Sequence, residues 1–276
     1  MDSVITQIVE SIEWEKGGSA QRVLQEALQQ VALAGMYRGG FFSRAAFYGG
    51  TCLRLFHGLD RYSEDLDFSL FEADNTFDLS DYFDMIRTEF AAYGIEVELK
   101  KKNKTVKSGI DSAFLKTDTA LYNLSPVIND NIKIKIEVDT SPPPGFSIEP
   151  KLLLLPFSFH TPCFVLQDLF SGKMHALLYR KWKARTKGRD WYDFEWYIRK
   201  GVPLGMTHFN SRMRQFEETE TDYSEADLRA ALQNRIDSLD IKQAREEVAP
   251  FVRDPATLDI WSREYFLELA SRLKTK

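Results

Sequence analysis

The chain has 276 residues, 43% of them hydrophobic, with 36 Lys and Arg against 41 Asp and Glu and a formal net charge of -5. This balance suits a globular protein with a large core in one or two domains. It excludes a membrane-spanning helix, which needs ~20 apolar residues in a row, and two cysteines, Cys52 and Cys163, make neither a disulfide framework nor a zinc set. The first residues lack a basic start and an apolar signal core, so the expectation is a cytoplasmic protein with no membrane partner.

In chain order, residues 3–15 and 19–35 read as helices, the second with Ser19 as its N-cap and Val23, Leu24, Leu28 and Val31 at helical spacing. Ala45 to Tyr48 is a short apolar run ending at Gly49-Gly50. Residues 51–57 make one or two helical turns stopped by Gly58, and Leu66 to Phe71 reads as a strand. Ser80 is a candidate cap for a helix whose stripe is Tyr82, Phe83, Ile86 and Phe90 and whose end is Gly94. Residues 95–99 alternate as a strand, and 105–118 can hold another. Residues 132–138 alternate strictly, with Ile132, Ile134, Ile136 and Val138 on one face and Lys133, Lys135, Glu137 and Asp139 on the other. Prolines then crowd the run SPPPGFSIEP and recur at Pro156 and Pro162. Proline resists both helix and central strand, which makes this the expected domain boundary. Beyond it, 166–186, 190–200, 224–249 and 257–273 read as helices, with Gly201 and Pro203 as a stop. The predicted organisation is α+β: a mixed α/β domain over residues 1–160, then a mainly helical domain over 161–276.

The charge is uneven. Residues 100–107 carry five lysines and no acid, residues 173–189 carry seven Lys or Arg and no acid, and residues 217–247 carry ten acids against four bases. Basic blocks attract phosphates whatever the net charge, although for either block alone a solvated surface face is the favoured reading.

The chemistry concentrates between Phe47 and Leu70. Gly49-Gly50-Thr51 follows an apolar strand and opens a helix, where backbone N–H groups can approach an anion such as a triphosphate; a tight strand-to-helix turn is the plainer alternative. Asp65 and Asp67 sit two apart on a strand, so both carboxylates share a face. Side by side they repel, and a hard divalent cation would relieve the conflict, though a solvated strand edge would tolerate the pair. Glu137 or Asp139, on the polar face of another strand, can supply a third carboxylate.

These elements resemble the signature of the DNA polymerase beta-like nucleotidyltransferase superfamily. The fuller string GGT-x-LRL…R-x-S-x-DLDF resembles the AbiEii subfamily, the toxin component of type IV toxin–antitoxin and abortive-infection systems. Two further motifs of that subfamily follow: K-x-x-A-x-x-x-R at Lys173, Ala176 and Arg180, and R-D-x-x-D at Arg189, Asp190 and Asp193. The resemblance implies an N-terminal nucleotidyltransferase fold, a mixed sheet flanked by helices, with the helical domain contributing Lys173, Arg180 and Asp190 to the site. It also implies Mg²⁺ or Mn²⁺ on Asp65, Asp67 and Glu137, with Glu137 preferred over Asp139, and an NTP as substrate. Gly49, Gly50, Thr51 and Ser63 would cradle the phosphates. Lys173 and Arg180, seven apart and thus on one helix face, would neutralise them, and Asp190 and Asp193 would lie near the nucleotide. Asp190 reads equally as the cap of the helix 190–200 with Asp193 in its first turn, and Arg189 as a partner for one of these acids.

The acceptor implied by the resemblance is RNA, foremost the tRNA 3′ end, with a separately encoded antitoxin as partner. Lys100, Lys101, Lys102, Lys104, Lys107, Lys181 and Lys183 are the candidate RNA contacts. Two other readings compete: transfer to a small-molecule or protein hydroxyl, and a non-catalytic NTP-binding protein. The scattered His57, His160, His175 and His208 read as structural, and Cys52 as packed.

Overall fold

The structure, a computed structural model, describes residues 20–102, 109–117, 132–180 and 186–276. The predicted helix 3–15 and the cap Ser19 lie outside them. Contacts divide the chain into two units: one of residues 1–58, 62–142 and 148–163, the other of 59–61, 143–147 and 164–276.

The first unit is built on a seven-stranded mixed sheet. Its strands are β1 (Ala45–Tyr48), β2 (Asp65–Leu70), β3 (Glu98–Lys101), β4 (Ile110–Thr117), β5 (Ile132–Asp139), β6 (Ile148–Leu153) and β7 (Phe159–Phe164), in the order β3-β4-β5-β2-β1-β7-β6. Among the described residues its α-helices are α1 (Ala20–Arg38), α2 (Gly49–His57) and α3 (Phe83–Ala92). β5 alternates as its sequence predicts, with Ile132, Ile134, Ile136 and Val138 buried. It runs parallel to β2 and antiparallel to β4. Phe41, Phe47 and Phe68 are fully buried, and the rings of Phe41 and Phe47 both pack on Phe68, at 4.9 and 5.1 Å. Burying each such ring contributes roughly 2–3 kcal/mol. α1 and α3 approach so closely that a Cβ on Gly35 would stand 2.8 Å from the Ile86 Cα.

Several sequence expectations shift. β3 begins three residues later than the predicted strand at 95–99. The turn before α3 is capped by Asp78, whose carboxylate accepts from the Ser80 amide, and not by Ser80. The proline-rich run hides two strands: β6 is an edge strand, where Pro150 sits, and Pro162 occupies β7. Edge strands tolerate proline because a row of their N–H groups needs no partner.

The second unit holds α4 (Leu166–Tyr179), α5 (Gly188–Lys200), α6 (Met206–Phe216), α7 (Glu225–Asp237), α8 (Ile241–Val248) and α9 (Arg263–Ser271). The predicted helix 224–249 is two helices. α7 starts in a capping box between Ser224 and Asp227, and α8 is capped by Asp240. Its core is aromatic, with Trp191, Trp196, Tyr197, Phe194, Trp261 and Phe266 buried. α5 crosses α8 at Gly188, where a Cβ would lie 1.9 Å from the Ala244 carbonyl oxygen. Among the described residues, no helix is long and apolar enough to cross a membrane.

Candidate active site

On the sheet unit the site begins where β1 ends. The chain turns through Gly49 at φ 82, and a Cβ there would stand 2.3 Å from Asp67 Oδ2. Both the backbone conformation and the aspartate therefore demand glycine. Thr51 is buried, and its hydroxyl donates to the Asp65 carbonyl oxygen at 2.5 Å, tying the first turn of α2 to the start of β2. No side chain caps the N-terminus of α2, whose N-cap Tyr48 is extended. The first amides of such a helix have no intrahelical acceptor and favour an anion. Ser63, just ahead of β2, is held through its carbonyl, which accepts from Gln29 on α1.

Parallel register sets Asp67 opposite Glu137 and Asp65 opposite Lys135, so all three acids share one face of the sheet. Glu137 forms an ion pair with Lys135 at 2.7 Å. Asp139 lies opposite Ser69 and accepts from the Ser141 amide at 3.0 Å, which turns it toward the end of β5. Among the described residues, no three His, Cys, Asp or Glu side chains gather into a ligating group. The donors nonetheless fit a hard divalent cation: two half-buried carboxylates on one strand and a third in register beside them, all oxygen. Recruiting Glu137 requires it to leave Lys135.

Strand alternation divides the lysine block. Lys100 lies opposite Phe114, which lies opposite Lys135, placing it on the acids' face, where it pairs with Glu98 at 2.6 Å. Lys101 points to the other face and bridges Asp78 at 2.7 Å and the buried Asp111 at 3.0 Å. Hydrogen bonds from Lys101 and Ser80 hold the Asp78 carboxyl down at about 2. Lys101 is thus engaged within the fold. Lys102 is exposed, and its amide donates to the Ser112 carbonyl. Lys116 and Lys133 face each other across β4 and β5 on the acids' face, with the Lys133 ammonium 3.7 Å from the Phe114 ring centroid. Lys104, Lys107, Lys181 and Lys183 lie outside the described residues.

The helical unit carries the downstream motifs. Asp193 on α5 is completely buried and accepts twice from Arg61, Nε to Oδ1 and one terminal nitrogen to Oδ2, each at 2.6 Å. It also accepts the Lys173 ammonium of α4 at 2.8 Å. Burial alone would raise the Asp193 carboxyl, but Arg61 and Lys173 outweigh it and hold it below the usual carboxylate range. Arg61 is the residue that the sequence reading left without a role. Its only signal is its place in the R-x-S-x-DLDF string.

Three local readings change here. α5 starts at Gly188 with Lys187 as N-cap, so Asp190 is its third residue and caps nothing, while Asp193 lies beyond the first turn. Arg189 pairs with Glu247 at 3.3 Å and covers the Phe251 ring. α4 ends at Tyr179 and Arg180 is extended, so the shared helix face stops short of Arg180. Burial, then the positive charges of Arg180, Lys173 and Arg189, push the Lys187 ammonium down to about 8 against the pull of Asp190. Such crowding of cations suits a polyanion.

Three histidines outside these constellations have their pKa values depressed. Burial pushes His57 to about 4, His175 to about 3 and His208 to about 4. Cys52 and Cys163 are both free and buried.

Residues 31–268 match the family described as nucleotidyl transferase AbiEii toxin, type IV TA system. No curated protein matches. Among solved structures, the chain is similar to a Helicobacter pylori protein described as a candidate nucleotidyltransferase, with TM-score 0.52, 18% identity, and 92% of this chain and 94% of that one covered. It is similar also to JHP933 from Helicobacter pylori, with TM-score 0.52, 17% identity, and 92% and 90% covered. At that identity the likeness shows a shared fold.

Proposed function

The chain belongs to the AbiEii family of nucleotidyl transferase toxins of type IV toxin–antitoxin systems, and from that premise we propose that it transfers a nucleotide from an NTP to an RNA hydroxyl, foremost the tRNA 3′ end, and so arrests growth. One observation carries the reading: the Asp67 carboxylate fills the space that a side chain at Gly49 would take, so the acid pair and the open helix N-terminus of α2 are built as one device.

In the proposed reaction the acceptor oxygen forms a bond to the α-phosphorus, the bond from that phosphorus to the bridging oxygen breaks, and pyrophosphate leaves. Asp65 and Asp67, with Glu137 once released from Lys135, would hold Mg²⁺ or Mn²⁺, which would supply Lewis-acid polarisation of the α-phosphate and positive charge against the departing pyrophosphate. The first amides of α2, at Gly49, Gly50 and Thr51, donate to phosphate oxygens, and a carboxylate of the sheet face takes the acceptor proton. Lys173, with Arg180 and Lys187, supplies positive charge to phosphates. Lys100, Lys116, Lys133 and Lys135 give the acids' face a basic surround that suits an RNA backbone. The family implies a separately encoded antitoxin as partner.

The test uses purified protein, Mg²⁺, each labelled NTP in turn and total tRNA. Label entering RNA with wild type and absent with Asp65→Ala supports the proposal. Label moving instead to protein or to a small acceptor overturns the RNA acceptor, and no transfer to anything overturns catalysis.

A further inference from the structure

We propose that Arg61 is a positioning residue for Lys173: by taking both oxygens of Asp193, it lets that carboxylate aim the lysine ammonium without neutralising it. The inference rests on the reading of Lys173 as a phosphate-binding group, and it deepens that reading by assigning the recognition to a cluster with a net positive charge.

In a buried place the balance of charges decides what the lysine can attract. Asp193 has no exposed surface, and a lone Lys173–Asp193 pair would be neutral, with little left to attract a phosphate. Two cations contact the one carboxylate, so Arg61, Lys173 and Asp193 together carry one surplus positive charge, in a field that the Asp190 and Glu247 carboxylates near Arg61 also shape. That surplus can be presented at one place only. The Arg61 side chain is 3% exposed and its fork is spent on Asp193, whereas Lys173 keeps 19% of its side chain open. A planar guanidinium suits the inner position because its parallel N–H groups match both carboxylate oxygens, and an ammonium does not.

Arg61 is itself fixed. It forms an isolated β-bridge with Val252, and its neighbour Asp60 accepts from the Tyr192 hydroxyl at 2.8 Å and from Arg199 at 3.2 Å. Residues 59–61 therefore belong to the helical unit by ion pairs and backbone contact, although in sequence they separate α2 from β2. The ligand chemistry is that of a phosphate oxygen on a nucleoside triphosphate.

The experiment compares wild type with Arg61→Met, Arg61→Lys and the double variant Arg61→Met/Asp193→Asn, which restores the net charge. Two readouts are taken on folded protein, as judged by circular dichroism. One is the rate at which an acylating reagent modifies the Lys173 amine at fixed pH, followed by mass spectrometry. The other is the dissociation constant of a non-hydrolysable nucleoside triphosphate. In Arg61→Met, Asp193 is left to Lys173 alone. Its amine should acylate about tenfold more slowly and the triphosphate should bind about tenfold more weakly, because the cluster has lost its surplus positive charge. The double variant should recover most of both. Should Arg61→Met not fold, Arg61→Lys decides the matter: with its charge kept and its fork lost, it should slow acylation by a smaller factor. An unchanged acylation rate in whichever variants fold makes Arg61 merely structural and overturns the proposal. If no protein, wild type included, binds triphosphate, the nucleotide reading fails, and the acylation rates alone still decide the role of Arg61.

Discussion

Glycine at position 49 answers two demands at once, a left-handed backbone and the Asp67 carboxylate, and alanine meets neither. Forcing a non-glycine residue into that conformation costs roughly 1–2 kcal/mol. A methyl group 2.3 Å from Asp67 Oδ2 must also displace the carboxylate. Gly49→Ala is therefore expected to stay folded with a slightly lower melting temperature and to lose nucleotidyl transfer by about 100-fold, the usual effect of a reactive group moved by about 1 Å. Steady-state transfer rates beside a thermal melt check this; full activity in Gly49→Ala would mean that Asp67 is not held by this contact. Neighbouring Thr51, expected as a phosphate contact, has its hydroxyl on the Asp65 carbonyl, so its side chain serves the acid pair from behind.

At the scale of elements, two helical glycines have opposite reasons to exist. Gly188 lets α5 cross α8, and its Cβ position is filled by the Ala244 carbonyl. Gly172, inside α4, has nothing within 4 Å of its Cβ position. Gly188→Ala should lower stability by about 1–3 kcal/mol through overpacking against backbone. Gly172→Ala should raise it by about 0.5–1 kcal/mol through helix propensity. Denaturant midpoints separate the two, and equal shifts would contradict the crossing geometry. Strand alternation made β5 and the Asp65–Asp67 pair legible, since a period of two and a charged repeat need no partner to be read. β6 and β7 were not legible, because their prolines argue against a strand; the sheet order then places β6, with Pro150, at the edge and β7, with Pro162, beside it. The lysine block was read as one patch. Only the pairing of β3 with β4 separates Lys100, on the acids' face, from Lys101, consumed by Asp78 and Asp111.

Over the whole molecule the net charge of -5 conceals a division of labour. Acids of the 217–247 stretch bind basic residues of their own unit, as Glu225 does Arg229, Asp237 does Arg263 and Glu247 does Arg189. On the sheet face Lys116 and Lys133 stand opposite each other, while Lys100 pairs with Glu98 and Lys135 with Glu137. If these meet RNA, replacing Lys100, Lys116 and Lys133 by Gln should weaken RNA binding and make the log–log salt dependence shallower by about 2, at ~0.7 per phosphate contact of a single strand. An unchanged slope would remove this face from the RNA contact. Stability carries a second signature. Burial and nearby Arg212 and Arg180 push His175 to about 3, and burial and Arg212 push His208 to about 4, both below the 6.5 of an unfolded histidine. As the pH falls through 6.5 the unfolded chain takes up protons that the folded chain refuses. Stability is therefore complete above that value and declines toward pH 4, by roughly 1.4 kcal/mol per pH unit for each histidine. Urea titrations across that range should show the midpoint falling, and a His175→Gln variant should show a flatter decline. A midpoint independent of pH would mean that both rings are hydrated.

The sequence by itself determined the chemistry on offer: a glycine turn, a repeat of aspartates with a period of two, and lysine and aspartate motifs in the order of one enzyme family. These are local patterns, written in spacing, and spacing is set by backbone geometry that every chain shares. Tertiary structure alone decided which charges are spent and which are kept. Whether Asp193 neutralises Lys173 or only aims it depends on Arg61, 132 residues earlier. In a buried place the energy of a charge belongs to its neighbours in space, and no local pattern records them.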